Sequence, residues 1–315
     1  MTFRTVLTPR APQILALAGT VVLWASAFPA IRVGVAGLGI AALSLLRLAI
    51  ASAALAAVAP FAGVRRPRAR DLPLIAVCGA TGMTAYQVLL NWGEVHVPAG
   101  TASLLIAAAP VFSVLLAGAF LAEPITRQVV VGSLTALAGA AVVACGGGAT
   151  GFSAGALVVL AAAVVQGVYH VATKPLLRRY TGLEVASYAM WAGTVFAAPL
   201  IPGTVRAVAG APADALGAVL YLGLLPSALG FVIWGHAVAR LPLATSTGAL
   251  YLVAPVALLV AFGWLNEVPN PVELAGGAVT VLGVVLLNRR PDREPRVVAR
   301  HPAAPATRLA PRKRA

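Results

Sequence analysis

The sequence has few charged residues and very few acidic ones. Only 10% of its 315 residues are charged, and Asp and Glu number 9 against 23 Lys and Arg. A soluble domain of this length covers its surface with charged and polar side chains, so this scarcity excludes that class of fold. Hydrophobic residues make up 60% of the chain, and its mean hydropathy is +0.92. The sequence therefore predicts an integral membrane protein.

The excess of basic residues gives a net charge of +14, which in a soluble chain would suggest nucleic-acid binding. Here the basic residues collect between hydrophobic runs, so we expect no nucleic-acid partner. Cysteine is scarce too. Cys78 and Cys145 fall near opposite ends of their runs, which excludes a disulfide between them. We expect no metal ion and no cofactor.

Hydrophobic stretches of about 20 residues, enough to cross a hydrocarbon core of about 30 Å, recur along the sequence. They predict an all-α integral membrane fold with ten transmembrane helices, five in each half. The predicted spans cover residues 13–32, 39–60, 72–91, 99–121, 128–147, 154–173, 184–203, 214–236, 243–264 and 271–288.

The two halves carry matching residues at a constant offset of 144 positions. The matched pairs are Pro98 with Pro242, Thr101 with Thr245, Glu123 with Glu267, Gly132 with Gly276 and Gly139 with Gly283. Such a pattern predicts two copies of one multi-helix unit, which in membrane proteins is typical of transporters. We therefore predict a cytoplasmic N-terminus over 1–12, a first repeat over 13–147, a second repeat over 148–290 and a disordered basic cytoplasmic tail over 291–315.

Basic residues mark the cytoplasmic side of a membrane protein. With the N-terminus inside, the predicted inner segments include the arginine cluster of residues 65–70. The only basic residues in the predicted outer segments are Arg32 and Arg206. Because five is an odd number of spans, the second repeat enters from the opposite side. The repeats are then inverted, and both termini are cytoplasmic. Arginine prevails over lysine and the helices are rich in alanine, which indicates a GC-rich bacterial genome. We therefore predict a multi-pass protein of a bacterial inner membrane.

A polar stripe marks the predicted sixth helix. Helical spacing relates Gln166, Tyr169, His170 and Thr173, and such a stripe inside a membrane faces protein or water. Three roles stay open: hydrogen bonding between helices, lining of a pore, and proton coupling by His170. No Asp or Glu lies in the middle of a predicted span, so coupling by a carboxylate is not expected.

Arg47 is the only basic residue predicted well inside a span. Burying its charge costs about 2.5–3.5 kcal/mol on insertion scales, so the guanidinium needs compensation. Two interpretations stay open. Arg47 reaches the outer interface or backbone carbonyls, or it binds the carboxylate of a substrate.

Further side chains are candidates for lining a substrate cavity. The polar candidates are Gln87, Asn91, Ser103 and Thr247, and the aromatic ones are Trp24, Tyr169, Trp234 and Tyr251. Packing or interface anchoring is the alternative role of each aromatic residue. Pro110 and Pro255 each remove a backbone donor at equivalent positions, so both helices are predicted to kink. Matched kinks can act as hinges in alternating access.

One motif points to a different class of protein. Residues 151–155 match the Gly-x-Ser-x-Gly pattern of a nucleophile elbow, with Ser153 as the nucleophile. The motif lies in a short predicted turn, and His170 stands about 25 Å further along the helix at about 1.5 Å per residue. We therefore expect Ser153 to cap its helix, and a membrane-embedded serine hydrolase is kept as an alternative.

Several stretches resemble one transporter family. Residues 24–28, Trp-Ala-Ser-Ala-Phe, followed by Arg32, resemble the first helix of the EamA family in the drug/metabolite transporter superfamily. Residues 46–48, Leu-Arg-Leu, resemble its second helix, and the runs 99–123 and 241–267 resemble its paired domains. The resemblance implies ten helices around a central cavity and export of amino acids or related metabolites. The first-helix glutamate of the small multidrug relatives is absent, so their proton antiport is not implied.

We predict a secondary transporter, working as an exporter, that moves a small-molecule substrate by alternating access. Its other predicted partner is membrane lipid. We expect a monomer or a weak homodimer, and we do not expect an enzyme. The alternatives are the serine hydrolase and a membrane scaffold that transports nothing.

Overall fold

The computed structural model describes residues 11–121, 126–146, 153–241, 246–247 and 249–288. Most of the predicted N-terminal segment 1–12, the predicted tail 291–315 and Glu123 lie outside the described residues. Every regular element in the described part is helical.

In the first half of the chain, two apolar α-helices come first and five further α-helices follow in the described residues. They are α1 (Ala11–Ala25), α2 (Ala27–Val58), α3 (Leu72–Cys78), α4 (Tyr86–His96), α5 (Ala99–Ile106), α6 (Ala109–Leu121) and α7 (Arg127–Gly146). A 3-10 turn, Ala69–Asp71, precedes α3, and a π-helix, Gly79–Ala85, joins α3 to α4.

The second half has a similar series of elements. They are α8 (Ala154–Leu177), α9 (Gly182–Phe196), α10 (Ile201–Ala209), α11 (Ala213–Leu222), α12 (Gly230–Arg240), α13 (Val253–Leu265) and α14 (Pro271–Asn288). A π-helix, Gly223–Leu229, joins α11 to α12, and 3-10 turns occupy Ala198–Leu200 and Leu250–Leu252.

The offset of 144 residues extends to the irregular elements. The two π-helices begin and end 144 positions apart, as do α4 and α12, and α6 and α13. Because π-helices are rare, two at equivalent positions mark one structural unit used twice. The two-repeat pattern predicted from the sequence is therefore present in the fold.

Several helices are long and apolar enough to cross a membrane. They are Pro12–Val58, Ala69–His96, Ala99–Leu121, Ala154–Leu177 and Ala213–Arg240, with Gly182–Phe196 and Ala198–Ala209 forming a further pair bent by 47°. Shorter apolar helices cover Val130–Val143, Leu250–Leu265 and Pro271–Gly283. These helices confirm an all-helical membrane protein.

A glycine divides the longest helical segment. Gly39 has φ 76° and ψ 169°, a conformation that side-chain-bearing residues rarely adopt. A Cβ added to Gly34 would lie 2.7 Å from Cδ1 of Leu43, although nine residues of straight helix span about 13.5 Å. The chain therefore folds back at Gly39, and α2 consists of two helical segments.

The contact between α7 and α14 is reciprocal. A Cβ added to Gly139 would collide with the backbone nitrogen of Thr280, and one added to Gly283 would collide with that of Ala136. Residues 136 and 280, like 139 and 283, are 144 positions apart, so each helix makes the same contact with the other. As positions rise along α7 the contacted positions fall along α14, which makes the pair antiparallel.

Polar networks mark the two ends of the molecule. At the first end, called the Arg65 end, Arg65 Nε lies 2.7 Å from Glu184 Oε1, and Asp71 accepts hydrogen bonds from Tyr180 and Arg179. The hydrogen bond to Glu184 raises the pKa of the Arg65 guanidinium above its ordinary value, so this pair stays charged. The opposite end is called the Arg32 end.

Candidate functional site

A cavity in the middle of the fold is lined by residues of both repeats. Its walls come from α1, α2, α4, α5, α6, α8, α12 and α13. The space open to the centre of a water molecule is about 40 Å³, enough for about three waters. The cavity is therefore narrow in this conformation, and a larger ligand requires the helices to move apart.

The cavity brings together several residues predicted from the sequence. Trp24, Arg47, Ser103, Gln166, His170 and Pro110 line it. Gln87, Asn91, Tyr169, Trp234 and Thr247 are buried but do not line it. Tyr251 packs elsewhere, against Val111 and Ala136.

The expectation that Arg47 reaches the outer interface or backbone carbonyls is wrong. The residue is 3% exposed, and its Nε donates to Ser227 Oγ over 2.7 Å. Its Nη1 is buried and has no hydrogen-bond partner. A guanidinium that lines a cavity with an unused donor is suited to binding a carboxylate.

The π-helix of the second repeat anchors two side chains of the first. Ser227 Oγ accepts the hydrogen bond from Arg47 Nε, and the carbonyl oxygen of Pro226 accepts one from Trp24 Nε1 over 3.1 Å. A π-helix interrupts the regular hydrogen bonding of an α-helix, so a backbone carbonyl such as that of Pro226 can accept a hydrogen bond from a side chain. π-Helices occur frequently at functional sites. This segment therefore fixes both cavity residues.

Aromatic rings form a closed circuit beside the cavity. Trp24 contacts Phe231, which contacts Tyr169, and Tyr169 neighbours His170. His170 contacts Trp234, and Trp234 returns to Trp24, with centroid separations of 5.1–5.8 Å around the circuit. Three of these rings line the cavity and the other two support them.

The stripe on α8 both binds neighbouring helices and lines the cavity. His170 Nδ1 lies 2.9 Å from Ser113 Oγ of α6, and its Nε2 lies 3.4 Å from Gln166 Nε2. Gln166 Oε1 is buried and accepts no hydrogen bond. His170 is held by helix-to-helix contacts, and Gln166 keeps an unused acceptor.

The predicted proline kinks appear as helix breaks. Pro110 is the second residue of α6, after a break at Ala107 and Ala108, and Pro255 is the third residue of α13, after a 3-10 turn. A proline is tolerated in the first turn because the nitrogen there needs no partner within the helix. The chain therefore starts a new helix at each proline.

One buried carboxylate was not predicted from the sequence. The predicted third span ended at residue 91, but α4 continues to His96, and Glu94 is 1% exposed. Tyr86 and Phe231 were missed as cavity residues. For Phe231 a signal existed, since it lies one helical turn before Trp234. For Glu94 the sequence contained no such signal, because an acidic residue just beyond the end of a predicted span is expected to lie in a loop.

Arg32 closes the Arg32 end. Its Nη1 donates to the carbonyl oxygens of Glu94 and Val97 over 2.6 and 2.7 Å, at the C-terminal end of α4. Its Nε lies 3.5 Å from Glu267 Oε1, and Glu267 Oε2 accepts from Gly100 N over 3.4 Å. These contacts join the two repeats beside a cleft of about 210 Å³.

The hydroxyl of Ser153 acts as the predicted helix cap. Its Oγ accepts from Ala156 N over 3.1 Å at the first turn of α8. Within the described ranges, no group of three or more His, Cys, Asp or Glu could hold a metal ion.

The model of the EamA-like transporter family matches residues 11–145 and again 153–289. The chain belongs to the EamA-like transporter family. It is 68% identical over 277 residues to the probable terminal-alkyne amino-acid exporter of Streptantibioticus cattleyicolor, covering 88% of this chain and 93% of that protein. The family assignment confirms the resemblance, and it confirms a transporter rather than an enzyme.

More distant relatives extend the comparison. The uncharacterized transporter YdfC of Bacillus subtilis is 34% identical, covering 83% of this chain and 86% of that one. The pseudopaline exporter CntI of Pseudomonas aeruginosa is 28% identical, covering 72% and 78%. A solved crystal structure shares the fold with a TM-score of 0.63 at 21% identity, covering 88% of this chain and 96% of that chain.

Proposed function

We propose that this EamA transporter exports a small zwitterionic amino acid with a short, linear, apolar side chain. A terminal-alkyne amino acid is the first candidate, because the relative that is 68% identical carries that description. The observation that carries the proposal is the unused Nη1 of Arg47 in a cavity with mostly apolar walls. Arg47 binds the α-carboxylate of the substrate.

The walls fit the rest of such a molecule. Trp24 and Phe231 offer aromatic faces for a thin apolar side chain, and Gln166 offers an unused oxygen for a polar hydrogen. Cavities for small ligands combine apolar walls with a few polar groups in this way. The lining comes from one chain, so a monomer suffices, although a weak homodimer is compatible with it.

The proposed transport cycle uses ten spans arranged as inverted repeats in the inner membrane. The reciprocal antiparallel contact of α7 and α14 supports inversion, since a two-fold axis that relates antiparallel helices lies across them. The fold-back at Gly39 supports counting α1 and α2 as more than one crossing. The positive-inside rule places the Arg65 end and both termini in the cytoplasm.

The proposed hinges are the breaks before Pro110 and Pro255. They stand at equivalent places in the two repeats, so each can bend when the cavity opens to one side. Ser103 and Thr247 occupy equivalent faces near these breaks. Widening of the narrow cavity is the step that admits the substrate.

Efflux from liposomes tests the function. Purified protein is reconstituted, the liposomes are loaded with propargylglycine, and release is compared with norvaline and with propargylglycine methyl ester. We expect release of the free amino acids and little release of the ester beyond passive leakage. Arg47→Gln removes a charge-assisted hydrogen bond of about 1.5–3 kcal/mol, which raises the KM about 10- to 100-fold.

The matched control is Arg206→Gln, which removes an exposed arginine outside the cavity. It is expected to leave the KM unchanged. Folded yield by size-exclusion chromatography separates binding from folding. Efflux of propargylglycine by Arg47→Gln with an unchanged KM would contradict the proposal.

A further inference from the structure

A buried carboxylate near the Arg32 end makes none of the substrate contacts described above. We propose that Glu94 binds a transported proton, and that its carboxylate takes either that proton or the ammonium group of the substrate. Because the two ligands exclude one another, each amino acid that leaves is exchanged for one proton that enters. This inference rests on the export function proposed above.

Glu94 differs from the other buried carboxylates in the described part of the chain. It is 1% exposed, and neither of its oxygens accepts a hydrogen bond. Asp71, Glu184 and Glu273 are buried as well, but each accepts hydrogen bonds from neighbouring donors. Ionisation of a buried carboxylate without donors is strongly disfavoured. A bound proton or a cationic ligand removes that penalty.

The fold does not need a carboxylate at this position. The backbone oxygen of Glu94 accepts a hydrogen bond from Arg32, and the backbone oxygen of Val238, 144 residues later, accepts one from Lys174. Val238 is fully buried in the equivalent turn of α12. The backbone oxygen, and not the side chain, accepts the hydrogen bond from the cation at this helix end. The Glu94 side chain is therefore free for another function.

Glu94 ends a row of buried polar side chains on α4. Gln87, Asn91 and Glu94 follow helical spacing, and each has at least one oxygen without a hydrogen-bond partner. Asn91 Nδ2 donates to Ser44 Oγ over 2.8 Å, and Ser44 stands one turn from Arg47 on α2. Buried polar atoms with unused capacity inside a membrane are typical of ion and proton pathways.

Charged groups on both sides act on Glu94. Arg32 and Arg47 attract a negative charge there, whereas Glu267 repels it. The other ionisable groups on helices packed against this site are Tyr86 and His96 on α4, and Tyr169, His170 and Lys174 on α8; α5 has none. Arg47 lines the cavity and Arg32 lines the cleft at the Arg32 end, and Glu94, which lines neither space, interacts electrostatically with both arginines.

The exchange balances in charge and protons. Ionised Glu94 and Arg47 present an anion and a cation, which match the ammonium and carboxylate of a zwitterion. When the site opens at the Arg32 end, a proton from water binds a Glu94 carboxylate oxygen and the amino acid leaves. When it opens at the Arg65 end, the ammonium of the next amino acid takes the place of that proton, which returns to water. One positive charge enters per cycle.

Dicyclohexylcarbodiimide tests the proton site without any substrate, because it modifies protonated carboxyl groups in apolar surroundings. We expect peptide mass spectrometry of the full-length protein to find modification at Glu94, decreasing as the pH rises. The exposed Asp214 stays unmodified, and Asp214→Asn is the matched control for Glu94→Gln. If Glu94 stays unmodified over the whole pH range in which the protein is folded, the proposal is wrong.

Calorimetry with propargylglycine tests the exchange. Titrations in two buffers of different ionisation enthalpy are expected to give release of about one proton per amino acid bound, and none in Glu94→Gln or in any variant lacking the carboxylate. Binding without proton release overturns the exchange and leaves the export function standing. If propargylglycine does not bind, the proposed substrate is wrong, and the carbodiimide result still decides the proton site.

Discussion

Arg32 and Lys174 make the same contact at opposite ends of the molecule. Arg32 donates to the carbonyl oxygens of Glu94 and Val97 at the end of α4, and Lys174 donates to those of Val238 and Leu241, at 3.0 and 2.8 Å, at the end of α12. The acceptors are 144 positions apart. Each cation satisfies carbonyls that the helix end leaves unpaired and lies at the negative pole of the helix dipole.

The symmetry predicts matched stability effects. Arg32→Gln and Lys174→Gln each replace a cation that bonds two helix-end carbonyls, and each is expected to cost about 1.5–3 kcal/mol. Their melting temperatures in detergent should fall by similar amounts. Arg206→Gln, at an exposed position, should leave the melting temperature unchanged.

Arg32→Gln should also change the accessibility of the cleft at the Arg32 end. Arg32 pairs there with Glu267, a carboxylate of the other repeat, whereas Lys174 lies at the opposite end of the molecule. Arg32→Gln is therefore expected to speed thiol labelling of Leu258→Cys, which lies in the adjacent cleft. Equal acceleration by Lys174→Gln would show that this bridge does not close the cleft.

The proposed topology predicts sidedness. Arg68 and Gly210 are exposed in connections at opposite ends of the molecule. Cysteines placed there, with the native cysteines replaced by serine, should react with a membrane-impermeant maleimide from the cytoplasmic and outer sides respectively. Reaction of both from the same side of intact cells would contradict the inverted arrangement.

Glycine-to-alanine substitutions should have opposite effects on stability in the contact between α7 and α14 and at an open position in α13. Gly139→Ala places a methyl group against the backbone of Thr280, and such overpacking is expected to cost about 1–3 kcal/mol. Gly263→Ala, in α13, meets open space and should stabilise the helix by about 0.4–1 kcal/mol. Thermal unfolding measures both. A Gly139→Ala variant as stable as the wild type would mean that the helices can separate there without penalty.

Much of the fold could be predicted from the sequence because a membrane imposes strong rules. Hydropathy predicted the membrane-spanning helices, and the constant offset between residues such as Gly139 and Gly283 predicted the two repeats. The π-helices could not be predicted, because residues 79–85 and 223–229 are identical only at their first glycine. Helix ends were also missed, since the predicted third span ended at residue 91 and so excluded Glu94.

The cavity was predictable only in part. Spacing along α8 found Gln166 and His170, since one helix face can be read from sequence alone. Arg47 was a candidate, but its place depended on Ser227, which is 180 residues away. Tyr251 was misplaced because an aromatic residue facing a cavity and one facing a neighbouring helix have the same local pattern.

The stripe on α8 predicts different effects for substitutions at two of its four members. Gln166→Leu removes an unused cavity oxygen and should lower propargylglycine efflux while leaving folded yield unchanged. Tyr169→Ala removes a ring that packs closely against Gly82 and Phe231, so it should lower folded yield, with a cost of about 3–5 kcal/mol. Size-exclusion profiles and efflux rates, measured on the same preparations, check both. Equal loss of yield in the two variants would make the whole stripe structural.

The last prediction separates two buried ionisable residues as sources of pH dependence. His170 is held between Ser113 and Gln166, and His170→Gln keeps hydrogen-bonding capacity at that place. We expect this variant to retain proton-driven accumulation of propargylglycine in inside-out vesicles. Glu94→Gln should lose accumulation, and its exchange of labelled for unlabelled substrate at equal concentrations should persist only with a raised KM, because exchange needs no net proton movement but glutamine cannot pair with the substrate ammonium. If His170→Gln loses accumulation and Glu94→Gln retains it, the histidine is the coupling residue and the role given to Glu94 is wrong.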